Sequence, residues 1–262
     1  MPELPEVETV VRSIAGHIAG RRILAASFNS RFVTPGNRTA LARRLAGRVI
    51  NSVRRRGKFI VIALDQGTLT IHLGMTGKLL LEGEPGEHTH GIFSLDDGRI
   101  LYDDPRQFGR IEWSAKEPGR IARLGAEPLE IGLEEFGERL RRKARIKALL
   151  LNQRWVAGLG NIYADESLFA AGIHPLASAA KLSGARISRL HQAIRETLTE
   201  AIAMGGSSIS DYVDANGRRG WFQVRHRVYG REGEPCVNCG TAIRKILVAQ
   251  RGTHFCPKCQ RR

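Results

Sequence analysis

Four cysteines near the C-terminus constrain this chain more than any other feature. They form two pairs, Cys236-x2-Cys239 and Cys256-x2-Cys259, with sixteen residues between them. Two such knuckles at this separation suit a tetrahedral zinc site of four thiolates. That set leaves no coordination position open, so the one Zn2+ it implies is structural. Between the knuckles, residues 243–255 mix Arg244, Lys245 and Arg251 with apolar residues, which predicts a basic β-hairpin braced by metal. The chain has no run of eighteen apolar residues and no basic-then-apolar leader, which predicts a cytoplasmic protein with no membrane span. In a reducing compartment, cysteines grouped this way hold metal in preference to disulfides.

The charge balance names the kind of partner. Lysine and arginine number 41 against 26 acids, a net +15 with pI near 10.5. That excess points to a polyanion. A length of 262 residues accommodates two modest domains.

The first residues, Met1-Pro2-Glu3-Leu4-Pro5-Glu6, carry the chemistry. Loss of the initiator methionine before a small residue would leave Pro2 as a secondary amine beside a carboxylate. An amine adds to electrophilic carbon, and a neighbouring acid moves the proton. The bland alternative is that both prolines stiffen a helix entry and both acids complement its dipole.

Residues 5–20 predict that helix, since Val7, Val10, Val11, Ile14 and Ile18 share one face. Strands are predicted over 22–28, 48–56, 59–64, 69–73, 91–95 and 110–113, with hairpin turns at Asp65-Gln66-Gly67 and Asp96-Asp97-Gly98 and a short helix over 39–45. Many short strands at hairpin spacing predict a β-sandwich. Residues 118–132 read as a Gly/Pro-rich linker, 133–142, 146–152, 162–171 and 186–204 as helices, and 205–219 as a loop.

Three further motifs suit a phosphate-bearing partner. Gly158-Leu159-Gly160-Asn161 before a helix start offers amides to a phosphate, or else is a plain helix–helix turn. Arg54-Arg55-Arg56-Gly57-Lys58 at a strand turn offers cations, or else a solvated surface. Met75 and Phe108 sit in turn-like contexts, the latter beside Arg106. They are core residues or an apolar wedge of the kind that opens a base step.

Taken together, these motifs resemble the bacterial formamidopyrimidine-DNA glycosylases of the formamidopyrimidine/endonuclease VIII superfamily. The likeness runs over the whole chain, through Met1-Pro2-Glu3-Leu4-Pro5-Glu6-Val7-Glu8-Thr9, Arg56-Gly57-Lys58, His72-Leu73-Gly74-Met75-Thr76-Gly77, Asp104-Pro105-Arg106, Gly158 to Glu166, Tyr229-Gly230-Arg231 and the cysteines. It implies an α+β fold: an N-terminal catalytic β-sandwich with flanking helices over 1–117, the linker, a helix–two-turn–helix domain over 133–228 and a zinc-ribbon hairpin over 229–262.

The resemblance also implies roles. Pro2 would attack the sugar C1′ of an oxidised purine nucleotide, such as 8-oxoguanine or a formamidopyrimidine, in double-stranded DNA. Glu3 would be the acid/base, and Glu6 would hold the N-terminus. Lys58 and Arg251 would bind flanking phosphates and assist β,δ-elimination, and Asn161 would grip phosphate. Met75, Arg106 and Phe108 would fill the gap left by the flipped base, with Arg106 reading the opposite cytosine. His90, Arg142 and Lys147 are further DNA-contact candidates, and the loop 210–222 with Arg218 would close over the base. A bacterial, nucleoid-associated monomer is expected. Asn152, Arg218 and Gln107 depart from the aspartate, lysine and second arginine common at those places. The rival readings are a pyrimidine-lesion glycosylase of the endonuclease VIII branch and a noncatalytic zinc-ribbon protein binding DNA or RNA.

Overall fold

The computed structural model describes residues 1–116, 118–209 and 212–262. They form two compact units, Met1–Arg123 with Met204–Trp221, and Leu124–Ala203 with Phe222–Arg262. The expected domain limits cut differently, since they assign 204–221 to the helical domain. Glu117, the expected end of the first domain, lies outside the described residues, as do Ser210 and Asp211 at the start of the expected base-covering loop.

In the first unit, α1 (Leu4–Ile18) buries the predicted face of Val7, Val10, Val11, Ile14 and Ile18. The chain leaves the helix through Gly20 at φ 83°, a left-handed exit that suits glycine. After β1 (Ile23–Phe28) and α2 (Arg38–Leu45), strands β2 (Ile50–Arg56), β3 (Phe59–Leu64), β4 (Thr68–His72), β5 (Lys78–Leu80), β6 (Thr89–Leu95), β7 (Arg99–Asp103) and β8 (Arg110–Ser114) follow. They pair antiparallel in two four-stranded sheets, β1-β6-β7-β5 and β2-β3-β4-β8. Ile23, Phe93, Leu95 and Ile100 of the first sheet share one core with Ile50, Ile62, Leu69 and Ile71 of the second and with the buried face of α1. This is the predicted sandwich.

Two strands went unpredicted. In β7 the run Ile100-Leu101-Tyr102 is buried throughout, so it lacks the alternation of a half-exposed strand. β5 spans only three residues. The expected linker is also partly ordered. Gly119–Ala122 is a short helix, α3, with Ile121 buried, and Glu127 and Ile131 are buried as well.

The second unit holds α4 (Leu133–Leu140), α5 (Ile146–Leu151), α6 (Asn161–Ala170) and α7 (Gly184–Ala203), then the hairpin of β9 (Arg244–Val248) and β10 (Arg251–Phe255). Residues 162–169 of α6 are all buried, so this helix is enclosed and its buried polar groups must find partners. Phe169 packs in a small core with Val228, Ile243 and the cysteines. No helix among the described residues is long and apolar enough to cross a membrane.

Candidate functional site

The N-terminus is held, where most chain ends fray. Pro2 is buried. Glu3 is the N-cap of α1 and forms a reciprocal capping box with Glu6: the Glu3 amide donates to Glu6 Oε2 at 2.8 Å, and the Glu3 carboxylate accepts the Glu6 amide. The other oxygen of Glu6, Oε1, accepts the amide of Ser207 at 2.8 Å, and the Tyr212 hydroxyl donates to the Glu6 carbonyl at 3.2 Å. A Cβ at Gly206 would lie 2.7 Å from Glu6 Oε1, and its φ is 81°, so only glycine lets the 204–221 segment lie this close. Glu6 is thereby bonded to the Glu3 amide and to the segment that carries Ser207 and Tyr212.

Lys58 sits at the tip of the β2–β3 hairpin, a two-residue turn with Gly57 at φ 57°. It is only 7 % exposed. Its charge reaches His72, whose pKa is pushed down to about 4 by burial first and by Lys58 and two arginines after it. The neutral ring packs tilted against Phe59, ring centres 4.8 Å apart, and its Nδ1 accepts the Gly74 amide at 3.1 Å, just before Met75.

Met75 and Phe108 lie on the surface, 40 % and 54 % exposed, which removes them from the core. The Arg106 guanidinium lies 4.8 Å from the centre of the Phe108 ring. Sequence reasoning missed what holds this group. The buried Asp104 carboxylate accepts Thr76 Oγ1 at 2.6 Å, from the turn after Met75, and the Gly109 amide at 2.8 Å, from the turn after Phe108. Thr76 Oγ1 also accepts the Arg106 amide at 3.3 Å. One carboxylate therefore joins both turns. Between Arg106 and Phe108, Gln107 takes φ 54°, unusual for a residue with a side chain, and its Oε1 accepts Ser30 Oγ at 2.6 Å. His90 is buried, and its Nδ1 pairs with Asn29 Oδ1 at 2.8 Å, leaving Nε2 without a partner. Arg218 is exposed in a turn whose amide donates to Asp214 Oδ1 at 2.8 Å.

In the second unit, Gly160 is the N-cap of α6 and supplies no capping side chain. The Gly158 amide donates to Gln153 Oε1 at 2.9 Å, so that amide of the turn is already used. Asn161 Nδ2 donates to the Gly252 carbonyl at 2.8 Å, while its Oδ1 is buried and unpartnered. Arg142 is exposed, with its guanidinium 4.4 Å from the Trp155 ring centre.

Lys147 is the correction. It is 0 % exposed, and its ammonium forms an ion pair with Asp165 Oδ1 at 2.7 Å and donates to Thr253 Oγ1 at 2.8 Å and the Gly252 carbonyl at 3.3 Å. An ammonium buried against a carboxylate, a hydroxyl and a carbonyl has no face for a phosphate. Lys147 instead pins β10 directly after Arg251. Asp165 Oδ2 also accepts the His254 amide at 2.9 Å. Beside it, Glu166 accepts the amides of Arg227, Val228 and Tyr229 at 2.8–3.0 Å. Polar residues at consecutive positions of an enclosed helix were the available signal for this brace.

Arg251 is exposed at the hairpin tip, where Ala249 and Gln250 turn the chain at φ 49° and 60°. The sulfurs of Cys236, Cys239, Cys256 and Cys259 lie within 4.8 Å of one another, with pairs at 3.5 and 3.9 Å. Four thiolates at about 2.3 Å from one ion would stand about 3.8 Å apart. The set fits a closed tetrahedral metal site of structural kind.

Family models match in the same order as these features. The N-terminal domain of formamidopyrimidine-DNA glycosylase matches residues 1–111, its H2TH domain 124–213, and the zinc finger found in FPG and IleRS 233–262. The formamidopyrimidine-DNA glycosylase of Solibacter usitatus is 59 % identical over the full length of both chains, and that of Bacillus subtilis 44 % over 99 % of each. The crystal structure of the MutM (Fpg) protein of Thermus thermophilus has a TM-score of 0.89 at 44 % identity, covering 99 % of this chain and 98 % of that one. A Lactococcus lactis Fpg variant in complex with DNA containing Fapy-dG has a TM-score of 0.91 at 38 % identity over all of both chains. Likeness at this level and over this length makes the chain a member of the formamidopyrimidine-DNA glycosylase family.

Proposed function

We propose that the protein is a bifunctional DNA glycosylase and abasic-site lyase that removes oxidised purines, 8-oxoguanine and formamidopyrimidines, from duplex DNA. The observation that carries this reading is the pinned N-terminus, with Pro2 buried directly before the capping box that Glu3 and Glu6 close at the helix start. An amine meant to attack one sugar carbon must be held still. The likeness to a relative solved with Fapy-dG DNA supports the substrate class.

In this reading Met1 is removed and the Pro2 nitrogen attacks C1′ of the flipped nucleotide. The bond to the base breaks, and Glu3 protonates the ring oxygen as the sugar opens. The product is an iminium between Pro2 and C1′. Its positive charge acidifies the C2′ proton, so the 3′ phosphate leaves by β-elimination and the 5′ phosphate by δ-elimination. Lys58 and Arg251 hold those phosphates. Met75, Arg106 and Phe108 take the place of the extruded base, and Arg106 reads the opposite cytosine. Asn161, His90 and Arg142 contact the backbone, and Arg218 belongs to the loop over the base. One zinc ion in the four cysteines would brace the hairpin that presents Arg251. The protein would work as a cytoplasmic monomer drawn to the nucleoid by its net charge of +15.

Borohydride trapping on a duplex carrying 8-oxoguanine opposite cytosine tests this reading, with the N-terminus verified by mass spectrometry. A covalent adduct mapping to Pro2 is expected. Chains proven to begin at Pro2 that bind this duplex yet give no adduct would overturn the iminium route. An adduct only with thymine glycol would move the substrate to oxidised pyrimidines.

A further inference from the structure

We propose that the loop 29–35 is a third DNA-contacting loop beside the Met75 and Phe108 turns, with Arg31 on a phosphate and Phe32 against a sugar or base edge. The proposal rests on the DNA-glycosylase reading above.

The loop's backbone is fixed along its length. Ser30 Oγ accepts the amides of Phe32 and Val33, each at 3.2 Å, and the Ser30 carbonyl accepts the Thr34 amide at 3.0 Å. The Val33 carbonyl accepts the Ile111 amide at 2.9 Å, and the Arg110 guanidinium donates to the Phe32 carbonyl. Asn29 Nδ2 donates to the Thr89 carbonyl at 2.8 Å, and the Asn29 carbonyl accepts Arg38 Nη1 at 2.8 Å. Val33 and Thr34 are buried. Within this fixed frame Phe32 remains 54 % exposed. A mobile loop could fold its ring away; this one cannot, so the apolar surface stays in water until a partner covers it.

Two side chains tie the loop to residues already assigned to DNA. Ser30 Oγ donates to Gln107, between Arg106 and Phe108, and Asn29 pairs with His90. The loop also repeats the chemistry of the wedge. The Arg31 guanidinium lies 5.0 Å from the Phe32 ring centre, as Arg106 lies 4.8 Å from that of Phe108. Among the described residues neither arginine has a carboxylate partner, so both keep their charge for a phosphate or a base. Gln107 is neutral. Arg31 supplies the cation at a place where the wedge turn itself lacks a second one.

Affinity for a duplex containing a tetrahydrofuran abasic analogue, measured across a range of salt concentrations, tests this. The proteins are the wild type, Arg31→Gln, Phe32→Ala and, as a control, Leu24→Ala, which removes an exposed side chain on β1. Arg31→Gln should lower the slope of log K against log salt by about 0.9, the loss of one phosphate contact. Phe32→Ala should weaken binding by roughly 5- to 20-fold, in the range of one lost aromatic contact with a nucleotide. Thermal melts should match the wild type, because both side chains are exposed. If both variants bind as Leu24→Ala does, with the wild-type slope, the loop proposal falls while the glycosylase reading stands. If the wild type itself does not prefer the abasic duplex to an undamaged one, both fall together.

Discussion

The proposed wedge turns of the first unit and the hairpin tip of the second solve one problem by different means. Each presents a cation at the surface on backbone that would otherwise be mobile. The wedge rests on one buried carboxylate, Asp104, that reaches Thr76 and Gly109. The hairpin tip rests on a buried ion pair, Lys147–Asp165, on the Asn161 amide and on four cysteines. A sandwich with a shared core can hold its own loops. A two-stranded hairpin is marginal alone in water, so this one leans on a buried ion pair and on a four-cysteine set that fits a metal.

Metal removal should separate the two regions most. A structural zinc site contributes on the order of 10 kcal/mol of folding free energy to such a module. Chelation, or Cys256→Ser, should expose the last thirty or so residues to protease and to hydrogen exchange while leaving protection of the β2-β3-β4-β8 sheet unchanged. Equal loss of protection in both would show that the hairpin's order does not depend on metal separately from the sandwich.

The ion pair comes next. Lys147→Met leaves the Asp165 carboxylate buried and uncompensated by its cation, at a cost of about 3–5 kcal/mol. Adding Asp165→Leu should return part of that loss, since an apolar pair replaces a broken ionic one, although the His254 amide then loses its acceptor. Urea unfolding measures both. If Lys147→Met kept full stability and lost only salt-dependent DNA affinity, the lysine would be a phosphate contact after all.

Asp104→Ala should cost less, about 2–3 kcal/mol, because the partners left behind are the Thr76 and Tyr102 hydroxyls and the Gly109 amide rather than a charge. Affinity for an abasic duplex should fall with it, although Met75, Arg106 and Phe108 are all still present. Unchanged affinity would mean that the two turns hold their places without the carboxylate.

These braces mark the limit of what the sequence disclosed. The cysteine spacing, the apolar face of α1 and the glycine-bearing turns are local, and each was legible as written. For Met75 and Phe108 the sequence left core and surface both open, and only the folded chain shows them exposed. Lys147 could not be placed, since a lysine in a basic stretch reads the same whether it faces solvent or an aspartate eighteen residues later. Asp104 was visible as part of a motif, but its reach back to Thr76 was not. Pairings across such separations depend on the assembled fold, and β5 and β7 were missed for the same reason: their pattern makes sense only between neighbours.

Acid should not discriminate between the units. His72 in the first and His226 in the second both have pKa values pushed down to about 4, chiefly by burial. Above pH 6.5 both rings are neutral in folded and unfolded chains alike, and their environment costs nothing. As pH falls from about 6.5 toward 4, the unfolded chain takes up protons that the folded one refuses, so stability declines over that window. Histidine NMR titration should find both rings neutral at pH 5.5. A charged His72 at that pH would break its expected tie to Lys58.

The smallest effect is the sharpest test of the comparison, because the same backbone strain occurs in both regions. Ala249 and Gln250 take positive φ in a two-residue hairpin turn, where Asn-Gly is the favoured pair. The double substitution Ala249→Asn with Gln250→Gly should add about 0.5–1 kcal/mol to the stability of the metal-loaded protein. Arg251 would keep its place, so DNA affinity should hold. Gln107 has the same positive φ, yet Gln107→Gly should give no gain, because relief of strain is offset by the lost acceptor for Ser30 Oγ. A hairpin turn strained only by its residues can be improved, whereas a wedge turn whose strained residue also anchors a neighbouring loop cannot. Equal gains in both turns, read from thermal melts, would show that the Ser30–Gln107 bond contributes nothing to the wedge.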